Sequence, residues 1–429
     1  MTHSAIFNGV PWFDDEGRPV NAHGACIVED AGVYYLFGEH KTDDRNHFIG
    51  FSCYSSPDLT HWRFERLALP MQADGPLGPD RIGERVKVMR CPSTGQYVMF
   101  AHADDLGYRD PMIVAAVSDT VSGEYRLLGP LEYQGQPVRR WDMGTFQDSD
   151  GTGYLLLHEG DIYRLSDDYL HADDLVAHDI APGGESPAMT RTDDGTYAIL
   201  FSNKTSWDRN DNYYLTAPSI SGPWTLQGTF APKGTCTWNS QCSFVFPLTL
   251  ADGRTVPMYM GDRWSFPHQV SCASQVWLPL VCENGRIALP TYMEAWNPRT
   301  GDPLPRDGRI LDATLNSDVP GDEITVRFHL DADAERRLAL IGRTDRDGGY
   351  ARLDIADDDG TVFSSLVDCY APTRCDDGLL FISPALRSGS YTATVRVTGD
   401  ASVFYKKDGT RLGSQGTRVS ITGMTLLQD

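Results

Sequence analysis

Five times in roughly the first 300 residues, a turn glycine is followed at once by an apolar strand. The runs are "GVYYLFG" at 32, "GQYVMFAH" at 95, "GTGYLLLHE" at 151, "GTYAILFSN" at 195 and "GRTVPMYMGD" at 253. Glycine supplies the backbone freedom of a tight hairpin turn, and the runs behind it are rich in residues that strands favour. A further strand and a Ser/Pro/Asp turn follow, as in "CYSSPDLTHW", "AAVSDTVSGEY", "YRLSDDYL" and "YLTAPSISGPW", while the fifth unit offers "SQVWLPLVCENGRIAL". The glycines stand 63, 56, 44 and 58 residues apart, enough each time for four antiparallel strands with loops. A pair of β-sandwiches could carry similar hairpins. The repeated order of hairpin, Ser/Asp turn and then Trp or Tyr favours a five-bladed β-propeller over residues 1–305.

The run "EAWNPRTGDPLPRDGR" is rich in Pro, Gly and charge and marks a boundary. Alternating strands follow ("EITVRFHLDA", "RLALIGRT", "YARLDIAD", "YTATVRVTG", "VSITGMTLL"), so residues 306–429 fit one β-sandwich. The expected fold is all-β, a five-bladed propeller followed by that C-terminal β-sandwich.

Composition excludes several partners. A formal charge of −22, with no basic cluster, argues against nucleic acid. No apolar run is long enough to span a bilayer, and "MTHSAIFNGVPWFDDEG" lacks the charged and apolar regions of a signal peptide. Nine cysteines without CxxC spacing read as reduced thiols of a cytoplasmic protein. Cys236 and Cys242 could pair in an oxidant, but free thiols are the simpler reading.

The first strand of each propeller blade lines the central axis, where a ligand meets the strand starts. Counting back from the turn glycines reaches a polar residue before each such strand. His23 stands nine before Gly32, Glu84 eleven before Gly95 and Asp142 nine before Gly151. Glu185 stands ten before Gly195 and Gln241 twelve before Gly253. A lone Glu before a strand is usually solvated, but the shared offset of Glu84, Asp142 and Glu185 points to one polar cavity. His23 reads equally as a hydrogen-bonded structural histidine, and Gln241 as an amide that merely opens a strand.

Three carboxylates around one pocket suit glycoside hydrolysis, in which a neighbouring anion keeps one of them protonated as the acid. No GxSxG elbow, HExxH, Walker loop or kinase signature appears, which removes the usual support for acyl transfer, zinc hydrolysis and phosphoryl transfer.

Several stretches resemble glycoside hydrolase family 43, and within it the exo-β-1,3-galactanase branch. They are "NAHGACIVEDAGVYYLFGEHK", "ERVKVMRCPSTGQYVMFAH", "RWDMGTFQDSDGTGYLLL", "ESPAMTRTDDGTYAILFSN", "MGDRW" and "SQVWLPL". The resemblance implies Glu185 as general acid, and Asp142 as the residue that tunes its pKa and holds the sugar. It implies that Glu84 recognises the terminal galactose with Tyr108 nearby. The wider family's general base, an Asp on the first blade, is missing from "NAHG", and Gln241 matches the glutamine that the galactanase branch places on its fifth blade. A neutral amide has no proton affinity near neutrality, so Gln241 is expected to orient the water. The sequence has "ERVK" where the branch leads one to expect a proline after the arginine. Trp207, Trp238, Trp141 and Trp264 are candidate platforms for the apolar face of galactose, with Trp238 favoured by its nearness to Gln241.

The expected activity is inverting, exo-acting release of galactose from β-1,3-linked galacto-oligosaccharides such as those of arabinogalactan. An α-L-arabinofuranosidase or β-xylosidase on the same fold, and a non-catalytic sugar-binding propeller, are the rival readings. No metal ligands are assigned and no cofactor is required. The family admits a structural calcium ion on the propeller axis, although no oxygen-ligand loop in the sequence demands one. The C-terminal sandwich carries no recognisable binding motif and is expected to brace the propeller.

Overall fold

The computed structural model describes residues 5–331, 336–406 and 408–428. The first four residues, part of the stretch read for a leader, lie outside it. The described chain is all-β, and none of its helices is long and apolar enough to cross a membrane.

Five antiparallel sheets follow one another along the first 280 or so residues. Sheet one holds His23–Asp30, Val33–Lys41, Phe48–Ser56 and Arg63–Pro70, paired in chain order. Sheet two holds Arg81–Arg90, Tyr97–Asp105, Met112–Ser118 and Arg126–Pro130, and sheet four holds Gly184–Arg191, Tyr197–Asn203, Tyr213–Ala217 and Thr225–Thr229. Two sheets depart from the expected four strands. Sheet three (Met143–Gln147, Gly153–Leu157, Ile162–Leu165, His171–Ala177) gains an outer pair, because Glu132–Tyr133 adds parallel to its last strand and Gln136–Pro137 pairs with that. Sheet five stops at three (Gln241–Thr249, Thr255–Arg263, Ser274–Pro279), because the chain beyond Pro279 turns into a separate ribbon, Val281–Glu283 with Arg286–Ala288.

The glycines that define the repeat, at 32, 95, 151, 195 and 253, have φ of 78°, 75°, 85°, 86° and 85°. In that left-handed region a side chain is strained, so the repeat is a turn requirement written into sequence. First strands of successive sheets lie against one another, and that of sheet five lies back against that of sheet one. Apolar cores fill the wedges between sheets. Phe37 and Phe51 meet Val86 and Met99 between sheets one and two. Phe100 and Ile113 meet Leu155 and Leu157 between two and three, and Leu156 and Ile162 meet Ile199 and Phe201 between three and four. Leu200 and Tyr214 of sheet four share a core with Val245 and Trp277 of sheet five and Leu36 and Tyr54 of sheet one.

A bulge recurs in the first strands and gives the shared polar offset a physical cause. His23 pairs with Glu39, Glu84 with His102, Glu185 with Ser202, and Gln241 with Asp262. Just past each pair the ladder shifts register, and the next paired residues are Cys26, Lys87 and Ala188 in sheets one, two and four. In those three sheets the residue after the polar one is left-handed: Gly24 (φ 60°), Arg85 (56°) and Ser186 (60°). Such a bulge breaks the alternation and re-aims side chains at the strand start. Asp142 departs from the expected equivalence. It is itself left-handed, with φ of 37°, so it takes the place of Gly24, Arg85 and Ser186. Trp141 then falls at the place of His23, Glu84 and Glu185.

Beyond the boundary run, two antiparallel sheets share one core. One pairs Gly308–Leu311, Val419–Gln428, Arg336–Thr344 and Cys375–Ile382; the other pairs Glu323–Leu330, Gly389–Val397, Tyr350–Asp357 and Gly360–Asp368. Leu338, Leu340, Ile421 and Met424 of the first pack with Leu353, Ile355, Val395 and Val397 of the second. All nine cysteines are free.

Gly24 tests the bulge. An added Cβ would lie 2.1 Å from Glu39 Oε1 and 3.3 Å from Arg85 N, at positive φ. Gly24→Ala is expected to destabilise by about 1–3 kcal/mol in urea unfolding. Gly32→Ala, where a Cβ meets nothing within 4 Å, is expected to cost about 1 kcal/mol or less.

Candidate active site

A cavity of about 1060 Å³ opens at the starts of the first strands. Glu84, Asp142, Glu185, Gln241, Tyr108 and Trp207 all line it. His23 and Trp238 do not.

His23 is 3% exposed and sits behind Trp264, their ring centroids 5.6 Å apart. Its Nδ1 is 3.3 Å from Asp262 Oδ1, which also accepts Gly24 N–H at 3.1 Å. The structure gives His23 the structural role. Trp238, the favoured platform, faces elsewhere. Cys236, Thr237, Trp238 and Asn239 are all left-handed, with φ of 50–58°, and this turn sends Trp238 and Gln241 to different sides. The Trp238 indole donates to Leu289 O at 2.9 Å and lies against Tyr292. The turn is held by Asp211, which accepts Gly234 and Cys236 N–H, and by Thr237 Oγ1, which accepts Asn212 N–H.

Arg85, in the left-handed place of the second bulge, organises the floor. Its Nε donates to Asp142 Oδ1 at 3.0 Å and its Nη2 to Gln241 Oε1 at 2.7 Å. Its Nη1 lies 3.9 Å from Asp262 Oδ2, its backbone N–H donates to Glu39 Oε1, and its guanidinium lies over Trp264 at 5.4 Å. Asp142 Oδ2 accepts Ser186 N–H at 3.1 Å, so both of its oxygens are held by donors.

The amide of Gln241 is oriented by groups that can only donate. Arg85 Nη2 and Trp264 Nε1 (2.8 Å) face its oxygen, so Nε2 faces Glu185 Oε1 at 2.9 Å and Ser202 Oγ at 2.8 Å. All four of its hydrogen-bonding positions are filled by protein. Water positioning by this amide therefore requires one partner to move. Glu185 has the environment of an acid: burial first, then the Asp142 anion, pushes its carboxyl up to about 8.

Glu84 is the opposite case. Burial alone would raise it, but the Lys41 ammonium at 2.9 Å and His102 hold it well below the usual carboxylate range. Tyr108 OH also donates to its Oε1, at 3.0 Å. Its Oε2 is 3.7 Å from His102 Nδ1, beyond hydrogen-bond length, so that ring acts through charge. His102 is itself raised to about 9, against burial, by Asp104 and Glu84. An ionised oxygen thus faces the cavity as an acceptor for sugar hydroxyls. Trp207 forms the adjacent wall, stacked on Phe266 at 16° and 5.4 Å and edge-on to Trp264.

Arg85, Lys41, His102, Ser202 and Asp262 were not singled out from sequence. A signal existed: "GERVKVM" puts two cations inside an apolar strand, where burial demands anionic partners.

The calcium ion that the family admits does not fit the carbonyls facing one another between the first strands of sheets one and two. Gly24 O, Val86 O and Arg85 O receive the Lys87 ammonium at 2.8, 3.2 and 3.4 Å, and Arg85 adds a second cation. A surface cluster of Asp161, His178 and Asp179 is already closed by Arg140, 3.0 Å from Asp161.

No family model matches the chain, and no curated protein does. Solved structures do. One from Bifidobacterium bifidum s17, ascribed to an exo-β-1,3-galactanase, is 36% identical over 66% of this chain and 95% of its own, with a TM-score of 0.60. The exo-β-1,3-galactanase of Phanerochaete chrysosporium, solved with β-1,3-galactotriose, is 25% identical over 98% of this chain and 100% of its own, with a TM-score of 0.70. A family 43 β-1,3-galactosidase solved with galactodeoxynojirimycin is 28% identical over 68% of this chain and 100% of its own, with a TM-score of 0.60. With the carboxyl constellation, these likenesses identify a glycoside hydrolase: the chain belongs to glycoside hydrolase family 43, in the branch of exo-β-1,3-galactanases and β-1,3-galactosidases.

The raised Glu185 carboxyl carries a stability signature. The folded state keeps a proton that the unfolded chain releases above its ordinary pKa of 4.5. Wild type therefore loses stability as pH rises from 4.5 through 8, where Glu185→Gln does not. Urea unfolding at a series of pH values should show the variant's stability advantage growing across that window and levelling above it, at roughly 1–4 kcal/mol.

Proposed function

We propose that the protein is an inverting, exo-acting β-1,3-galactosidase that releases galactose from the ends of β-1,3-linked galacto-oligosaccharides, including those of arabinogalactan. The observation that carries this reading is a carboxyl pushed up to about 8 in a cavity whose other two carboxylates are tied by cations and N–H donors. The likeness to proteins solved with β-1,3-galactotriose and galactodeoxynojirimycin supports galactose as the sugar.

The architecture that goes with this function is a five-bladed β-propeller over residues 1–305 and a β-sandwich over 306–429. Its support is the cyclic succession of first strands and the shared core of the last two sheets. The likeness to proteins described as exo-β-1,3-galactanases supports exo action.

In the reaction, Glu185 gives its proton to the glycosidic oxygen, and Asp142 keeps that proton in place at neutral pH. Glu84, with Tyr108, accepts hydroxyl hydrogens of the terminal galactose, and Trp207 offers its ring to the sugar's apolar face. Asp142 has both oxygens held, which disfavours a covalent glycosyl intermediate and favours direct attack by water. When Glu185 turns to the leaving oxygen, its bond to Gln241 opens and the freed amide N–H orients the attacking water. As the water's C–O bond forms and the glycosidic C–O bond breaks, the water's proton passes to solvent and Glu185 is reprotonated from solvent. The free thiols suit a reducing, cytoplasmic setting.

Glu185→Gln is expected to lower kcat on β-1,3-galactobiose by roughly 10²–10⁴-fold. Proton NMR of the wild-type reaction should show α-galactose as the first anomer. Galactobiose turnover undiminished by the substitution, or β-galactose appearing first, would contradict the assignment.

A further inference from the structure

The cavity is walled by more than the first five sheets. Tyr405 and Lys406, at the end of the short strand Val403–Tyr405, also line it. The hairpin that this strand forms with Arg411–Gly413 belongs to the last third of the chain. It leaves from Ser402, whose hydroxyl donates to Phe266 O at 2.9 Å, so its base sits beside the Trp207–Phe266 stack.

Large apolar side chains are rarely left in water without a use when they gather at one place. Of the ten that the described residues leave exposed, three edge this cavity: Leu106 (57%), Trp141 (38%) and Tyr405 (64%). They come from three separate segments: the turn after Tyr97–Asp105, the approach to Met143–Gln147, and the hairpin. Trp141 stands edge-on to His158 at 5.5 Å, which leaves part of its ring turned to the cavity. A pocket of about 1060 Å³ is at the upper end for one drug-sized ligand, typically about 300–1,000 Å³, and exceeds what a single hexose fills.

We propose that Tyr405, with Trp141 of the same cavity edge, forms an outer sugar-binding subsite for the galactosyl residues beyond the second, and that Lys406 donates to their hydroxyls. This rests on the exo-galactosidase reading, in which the floor takes the terminal galactose and the rest of the chain runs outward. An exposed phenol ring presents an apolar face to the C–H side of a pyranose, at low entropy cost because only two torsions are fixed. The C-terminal region thereby recognises substrate through the pocket itself, in addition to bracing it.

The test compares wild type, Tyr405→Ala and Tyr405→Phe on β-1,3-galactobiose and β-1,3-galactotetraose. The ratio of kcat/KM for the longer over the shorter substrate should fall about five-fold or more in Tyr405→Ala and be restored in Tyr405→Phe, which keeps the ring. A ratio unchanged in Tyr405→Ala overturns the subsite while leaving galactose release intact. A wild type that releases no galactose instead overturns the parent reading. The subsite is then still read by calorimetric titration of Glu185→Gln with β-1,3-galactotriose. There, adding Tyr405→Ala should weaken binding several-fold, and equal affinity overturns the proposal.

Discussion

A single buried guanidinium holds this site together. Arg85 extends from sheet two, yet it bonds Asp142 ahead of sheet three and Gln241 in sheet five, and it lies beside Asp262 of the same sheet. Its own N–H is taken by Glu39 of sheet one. An unpaired cation at this depth would be prohibitively costly, so the anions around it are obligatory partners. Their geometry then fixes everything else. The guanidinium sets which way the Gln241 amide points, and the amide in turn faces its N–H toward Glu185. Burial first, and then the charge of Asp142, locked between Arg85 and Ser186 N–H, keep the acid protonated.

The turn glycines made the β-repeat readable because positive φ is a local requirement with a residue signature. The polar residues at the strand starts were readable for the same reason, since His23, Glu84, Glu185 and Gln241 each stand just ahead of a recurring register shift. What the spacing missed was non-local or one residue out of step. Asp142 shares the cavity with Glu84 and Glu185 but reaches it from the left-handed position, so its spacing matched while its register did not. Trp238 lost to Trp207 as a wall because four left-handed residues turn it away, and no propensity announces such a turn. The second-strand partners Glu39, His102, Ser202 and Asp262 lay within or just beyond the quoted repeats. Reading the strand ends as paired with the strand starts would have found them.

The last two sheets act on the pocket through its aromatic wall. Tyr370 OH donates to Asp208 at 3.0 Å, Arg209 lies over the Tyr370 ring, and Ser265 Oγ donates to Asp368 at 2.8 Å. These contacts fix the two segments that carry Trp207, Trp264 and Phe266. Bracing was expected from the lack of a binding motif, and it is what these bonds do. It could not be located beforehand, because the partners are more than one hundred residues apart along the chain.

The return of sheet five to sheet one also matters for how the molecule comes into being. Gly24 and His23 wait for Asp262, Ala22 O waits for Gln275 at 2.8 Å, and Asn8 waits for Trp277. Contacts of such sequence separation form late, since the loop they close must be ordered before they repay it. Gln241 is made before those closing contacts, but its strand is held in place by them. Asp262 of the same sheet, and Trp264 just past its strand, complete the surroundings of Arg85 and of the amide. The full set of partners around the guanidinium is therefore assembled only when sheet five docks on sheet one.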